Sequence, residues 1–342
     1  MALEGINSES VTAWMRTQIP DLVPPLEFTL IAGGHSNLTY RCVDARGSAF
    51  VLRRPPLGHV LESAHDMGRE HRIISALDQA GGVPVAPTHG LCADVAVNGA
   101  PFYLMGFVTG TVLHDAASAE SMPLAERQAL GLHVIDVLAE LHGIDPDAVG
   151  LGDLGRKEAY LARQLKRWNK QWEASKTHEI PEMEATSQLL EARMPAQVGA
   201  SIVHGDYRLG NMMVGGGRIR AVLDWELCTL GDPLADVGYL LNDWLEPGDV
   251  GAETKPTGAP GFPTRAELTA RYAAATGRDL AHINYYRAFS HWRLAAIGQG
   301  VYKRYLVGAM GENRGMDLTS YKSSVQARAA AALALLTGAD GG

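Results

Sequence analysis

The stretch His204-Gly205-Asp206-Tyr207-Arg208-Leu209-Gly210-Asn211, followed 13 residues after Asn211 by Asp224-Trp225-Glu226, decides how this chain reads. Asp206 puts a carboxylate on a turn, where it can take up a proton from a hydroxyl. Asn211 offers an amide oxygen that ligates a hard cation without adding charge. Asp224 ends a strand that leaves the Gly215-Gly216-Gly217 hairpin and so brings an anionic oxygen back beside Asn211. Three oxygen donors from a loop and its adjoining strand can converge on a magnesium ion. Each residue also has a plainer reading. Asp and Asn are turn formers that bond their own backbone. His204 reads as a hydrogen-bonded structural group, since zinc sites need further His or Cys at ligand spacing. In Gly231-Asp232-Pro233-Leu234-Ala235-Asp236 the two aspartates cap a helix start and brace the loop.

Working outward, a helix over Val11–Gln18 precedes strands at Glu27–Ile31, Leu38–Val43 and Ala49–Arg53, an antiparallel meander. A helix follows over Ala64–Gln79, then strands at Thr88–Cys92 and Phe102–Phe107. Beyond Gly110 the periodicity turns helical, with Leu130, Val134, Leu138 and Leu141 on one face of Leu124–His142. Further helices are expected at 156–175, 187–193, 266–276, 285–305 and 322–336, and Thr264 with Glu267 forms a capping box. The Gly- and Pro-rich stretch Glu246–Pro263 is expected to be the least ordered. The reading is an α+β chain of two lobes with a cleft between them: residues 1–107, a hinge near 106–110, and 111–342.

With 342 residues, 46% hydrophobic and 20% charged, the composition is that of a globular protein. Thirty basic against 38 acidic residues leave a net charge of −8, which disfavours a nucleic-acid partner. No apolar run approaches the ~18 residues of a membrane span, and no secretory signal is visible. Cys42, Cys92 and Cys228 form neither a disulfide framework nor a zinc pattern. The expectation is a cytoplasmic protein without a membrane partner; its oligomeric state stays open.

The ordered set from His204 to Asp236 resembles the aminoglycoside phosphotransferase-like family, relatives of the protein kinases, whose catalytic loop reads H-x-D-x-x-x-x-N. The likeness runs from Gly33-Gly34 to Arg293. It implies a two-lobed protein-kinase-like fold, with an antiparallel-sheet N-lobe and a mainly helical C-lobe. It also implies ATP- and Mg²⁺-dependent transfer of a γ-phosphoryl group to a small-molecule hydroxyl, with GTP as an alternative donor. By the same resemblance Asp206 is the catalytic base, Asn211 and Asp224 hold Mg²⁺, and Arg208 neutralises the transferring phosphate. Val51-Leu52-Arg53-Arg54-Pro55-Pro56 and Val222-Leu223-Asp224-Trp225-Glu226 resemble the branch whose members include kinase-like domains fused to acyl-CoA dehydrogenases. That branch suggests a hydroxyacyl-type acceptor beside an amino sugar or aminoalcohol.

The nucleotide is expected on the front lobe. Gly33, Gly34, His35, Ser36 and Asn37 join two strands and can turn backbone N–H groups toward phosphate, although the loop is no G-x-G-x-x-G. Strand alternation puts Val51 and Arg53 on one face. Arg53 stands where kinase relatives carry a Lys, and Glu70 is its partner on the following helix, or else the two form a surface pair of little worth. Gly106, Phe107 and Val108 offer hinge backbone to an adenine edge. Arg54 points the other way and reads as solvated or structural. Glu226, Asp243, Glu246 and Asp249 read either as a solvated acidic face or as an attraction for a cationic acceptor. The rival readings are a catalytically silent nucleotide-binding or scaffold module, and a metal-dependent phosphohydrolase.

Overall fold

The computed structural model describes residues 3–32, 37–57, 66–308 and 317–338. Contacts divide the chain into two compact units. The first comprises Met1–Val112, Val149–Leu151 and Asn211–Leu227; the second comprises Leu113–Ala148, Gly152–Gly210 and Cys228–Gly342. In chain order the elements are α1 (Ser8–Gln18), β1 (Glu27–Ala32), β2 (Leu38–Val43), β3 (Ala49–Arg54), α2 (Met67–Ala80), β4 (Thr88–Cys92), α3 (Val95–Asn98) and β5 (Phe102–Gly106). They continue with α4 (Ala116–Glu120), α5 (Leu124–Gly143), α6 (Tyr160–Ser175), α7 (Pro181–Ala192), β6 (Ser201–Val203), β7 (Met212–Gly215) and β8 (Arg218–Val222). Last come β9 (Thr229–Gly231), α8 (Leu234–Asp243), α9 (Arg265–Thr276), α10 (Ile283–Leu306) and α11 (Leu318–Thr337).

The first unit is built on an antiparallel sheet in the order β1-β2-β3-β5-β4. Alternation gives the sheet two different faces. Tyr40, Cys42, Phe50, Leu52, Phe102 and Leu104 pack with Val11 and Met15 of α1 into one core. The register Thr39–Arg53–Tyr103 across β2, β3 and β5 sets these three side by side on the other face. Helix α2 packs by a stripe of Met67, Glu70, Ile73, Ile74 and Leu77, the i, i+3, i+4, i+7 spacing of a buried helix face. Glu70 is the one charged group in that stripe, so the helix's own periodicity carries its carboxylate inward.

The same unit includes the β7–β8 hairpin, whose turn residues Gly216 and Gly217 have φ of 59° and 66°. Two successive positive φ values define the turn that matches strand twist, and glycine adopts them without a Cβ penalty.

In the second unit β6 pairs with β9, and α10 packs against α6, α8 and α11. Helix α8 approaches α10 through Gly238, where an added Cβ would lie 2.7 Å from the backbone carbon of Tyr286. The stretch Glu246–Pro263 departs from expectation. It forms two short 3₁₀ turns, Ala252–Thr254 and Pro256–Gly258, with Thr257 and Ala259 buried. Side chains replace the regular ladder there: Arg265 binds Glu246 and Asp249, Arg127 donates to the Pro260 carbonyl, and Trp244 Nε1 donates to that of Pro263. Among the described residues no helix is long and apolar enough to cross a membrane.

Candidate active site

In the second unit the loop after β6 is fixed from below by a fully buried carboxylate. Asp236, in the first turn of α8, accepts the backbone N–H of His204 at 2.6 Å and of Gly205 at 2.9 Å. Burial alone would raise the Asp236 carboxyl, but the His142 hydrogen bond, the neighbouring imidazoles and the Gly205 N–H outweigh it and hold the group below its usual range. Burial holds His142 down and neutral. Its Nε2 then donates to Asp236 at 3.4 Å and its Nδ1 accepts from Tyr272 at 2.7 Å. Gly205 has φ of 85°, a left-handed turn that a side chain would strain. His204 is buried, and its Nδ1 accepts the Asp206 N–H at 3.2 Å, which makes it a support of the loop. Asp232, one residue before the Pro233 cap of α8, accepts the Leu234 N–H at 3.1 Å and the Tyr286 hydroxyl at 2.8 Å.

On this platform the Asp206 carboxylate faces a cavity of about 500 Å³ within the second unit. Its Oδ1 accepts the Tyr239 hydroxyl and lies 3.3 Å from Arg208 Nε. Burial, followed by the Asp206 charge, raises the Tyr239 phenol, so the hydroxyl stays a donor. The Arg293 guanidinium covers the Tyr239 ring at 5.4 Å and donates to the Gly205 carbonyl at 3.0 Å. Tyr239 and Arg293 were invisible as site residues in the sequence. The signal that existed was Tyr239's position one helical turn after Asp236.

In the first unit Arg53 bridges two carboxylates. Its Nε is 3.1 Å from Glu70 Oε2 and its Nη2 donates to Asp224 Oδ1 at 2.8 Å. Glu70 also accepts from Asn37 Nδ2 and from the Tyr103 hydroxyl, both at 2.9 Å. Burial raises the Glu70 carboxyl, and Arg53, Tyr103 and Asn37 offset only part of that. Arg53 is pulled the other way: burial lowers it, and Tyr103, Glu70 and Asp224 together raise it. Asn37 turns its side chain to Glu70, while Gly33, Gly34, His35 and Ser36 lie outside the described residues. Val51 is buried beside Arg53 on the same strand face. The Gly106 N–H donates to Pro87 and the Phe107 N–H to Ala49, so these two amides are engaged inside the sheet; Val108 follows them. Arg54 is structural, buried and bonded to the carbonyls of Gly5 and Asn98.

Asn211 and Asp224 both belong to this unit. The Leu223 N–H donates to the Asn211 carbonyl at 2.8 Å and extends the β7–β8 pairing by one step, which sets Asp224 beside Asn211. Asp224 has φ of 63°, a left-handed conformation uncommon outside glycine. Beside it Trp225 Nε1 donates to the Val222 carbonyl at 3.1 Å. One neutral and one anionic oxygen suit magnesium, which takes few protein ligands and completes its shell with phosphates and waters. The Asp224 side chain stays 32% exposed despite Arg53, so the pair fits that ion.

A kinase-like α+β fold carrying a buttressed loop aspartate and an Asn–Asp pair defines a phosphotransferase class. The model of the phosphotransferase enzyme family (APH) matches residues 27–288, and the chain belongs to that family. It is 39% identical over 293 residues to acyl-CoA dehydrogenase family member 10 of Mus musculus, covering 83% of this chain and 27% of that protein. The chain spans between 27% and 43% of the length of the curated relatives it matches. A Ralstonia eutropha protein classed with the aminoglycoside phosphotransferases has the same fold at a TM-score of 0.84 and 35% identity, over 97% of this chain and 98% of its own. The aminoglycoside phosphotransferase APH(4)-Ia, solved with AMP-PNP and hygromycin B, shares the fold at 0.62 and 15% identity, over 97% of this chain and all of its own (100%).

Proposed function

We propose that the protein transfers the γ-phosphoryl group of ATP, with Mg²⁺, to a hydroxyl of a small molecule. The observation that carries this is the Asp206 carboxylate, fixed on one oxygen by Tyr239 and Arg208 and facing a cavity. The occupants of the APH(4)-Ia complex, AMP-PNP and hygromycin B, support the reading. In this reading residues 1–107 bind nucleotide, 106–110 act as a hinge and 111–342 carry the acceptor.

Asp206 orients the acceptor hydroxyl and takes its proton as that oxygen bonds to the γ-phosphorus. The bond from phosphorus to the bridging oxygen breaks, and ADP leaves with the electron pair. Arg208 offers positive charge to the moving group. Arg53 contacts the nucleotide phosphates, held in place by Glu70, Tyr103 and Asn37. Asn211 and Asp224 would hold magnesium, which when bound neutralises charge on the phosphates. The acceptor is an amino sugar, an aminoalcohol or a hydroxyacyl compound; likeness to the dehydrogenase-fused relatives favours the last.

Incubating a metabolite extract with γ-labelled ATP tests the assignment. The wild-type protein should label an acceptor that Asp206→Ala leaves unlabelled. Nucleotide binding without any labelling would favour a scaffold instead, and ATP-independent release of phosphate from esters would favour a phosphohydrolase.

A further inference from the structure

Two acidic residues, Asp206 and Asp243, and three basic ones, Arg208, Lys255 and Arg328, line the Asp206 cavity. Asp206 is matched by Arg208, and Asp243 by Lys255. Glu246 and Asp249, which made the sequence look acidic here, share the single charge of Arg265 and stand outside the cavity's lining. Arg328 of α11 lines the same cavity and has no ion-pair or hydrogen-bond partner among the described residues. With Leu294 it also lines an adjoining cavity of about 250 Å³ between α10 and α11, so its guanidinium stands at the junction of two spaces.

The titration of a neighbour is in keeping with the positive charge that Arg328 brings here. His291 of α10 is pushed down to about 4, first by burial and then by the charges of Arg328 and Arg287. A guanidinium without a carboxylate, beside a cavity holding a proton acceptor, is suited to a planar or tetrahedral oxyanion through paired N–H donors.

We propose that Arg328 is a specificity-determining residue of the acceptor site, and that the acceptor carries an anionic group, carboxylate or phosphate, in addition to its reacting hydroxyl. This rests on reading Asp206 as the group that faces the acceptor. A cationic amino sugar or aminoalcohol would meet Arg328 with like charge, so the proposal narrows the acceptor classes.

The test is calorimetric titration, without nucleotide, with hexanoate, hexyl phosphate and hexylamine as probes. Wild-type protein should bind at least one of the two anions, and whichever binds more tightly names the oxyanion. The amine should bind about tenfold more weakly or worse. Arg328→Gln should lose about tenfold or more in anion affinity, the share of one charge-assisted pair, and Arg328→Lys should retain most of it. A thermal melt establishes that each variant is folded. Binding of neither anion, unchanged anion affinity in Arg328→Gln, or an amine that binds as tightly as the anions would overturn the proposal. The titration needs no catalysis. Loss of phosphate transfer with Arg328-dependent anion binding intact contradicts the phosphotransferase reading alone, whereas active protein whose anion binding ignores Arg328 contradicts this inference alone.

Discussion

Arg53 Nη2 and Asp224 are joined by a 2.8 Å ion pair, and the adjacent Nε of the same guanidinium lies 3.1 Å from Glu70. One planar cation therefore ties β3 to α2 and to the residue that follows the β7–β8 hairpin. A lysine ammonium is a single point of charge and cannot set two donors in a fixed plane. Arg53→Lys should therefore weaken Mg²⁺-nucleotide affinity by roughly tenfold with a small effect on melting. Arg53→Ala, which strands Glu70 beside the sheet, should cost about 3 kcal/mol of stability. Calorimetry with AMP-PNP and urea melts check the two; undiminished affinity in the lysine variant would count against a phosphate-contact role.

Tyr239→Phe removes the hydroxyl that Asp206 accepts and leaves the ring beneath Arg293. One hydrogen bond to a charged group is lost, so kcat should fall about tenfold or somewhat more. KM for ATP should stay within a factor of about three, because the proposed nucleotide contacts, Arg53 among them, do not include Tyr239. Steady-state kinetics with the acceptor from the labelling screen would show the split. A change confined to KM for ATP would remove Tyr239 from the positioning of Asp206.

Gly238→Ala tests how closely α8 must approach α10. The added carbon would lie 2.7 Å and 2.9 Å from backbone atoms of Tyr286 and Arg287, which no rotamer change can relieve. The helices must separate, at a cost of about 1–3 kcal/mol. A urea midpoint equal to wild type would show that the contact is looser than it looks.

Acid should weaken the fold through its buried imidazoles. His142 and His291 are both held below their ordinary value of 6.5, His291 at about 4, by burial first. The unfolded chain then binds more protons in that window, so this stability is present above pH 6.5 and lost as pH falls toward 4. Glu70 and Asp232, both raised by burial, act in the opposite sense, adding stability at acid pH that is lost as pH rises through their folded-state values. His291→Gln isolates one imidazole. Its unfolding free energy should fall less between pH 7 and pH 5 than that of wild type, by a difference on the order of 1 kcal/mol or more. Parallel profiles would mean that His291 is not excluded from water as described.

Much of this was legible before any coordinates. The β2 and β4 boundaries, the Gly215–Gly217 turn and the Thr264 capping box follow from alternation, glycine and side-chain chemistry acting over a few residues. Glu70 could be paired with Arg53 because the resembled family pairs that strand position with a glutamate of the following helix. What escaped depends on contacts distant along the chain. Tyr103 meets Glu70 through the register of β3 with β5, and the partners of Glu246 and Asp249 come from a single arginine at the start of α9. Glycine and proline in Glu246–Pro263 read as disorder because side-chain-to-carbonyl bonding leaves no periodicity.

On the proposed reading Asp206 handles the acceptor's proton and the Asn211–Asp224 pair holds the metal. Single-turnover transfer and Mg²⁺-AMP-PNP affinity measured side by side in Asp206→Asn and Asp224→Asn test it most directly. Asp206→Asn should bind Mg²⁺-nucleotide within about threefold of wild type and lose on the order of a thousandfold in transfer rate. Asp224→Asn should lose the affinity as well. Transfer at the wild-type rate by Asp206→Asn, or full magnesium-dependent affinity in Asp224→Asn, would contradict the account.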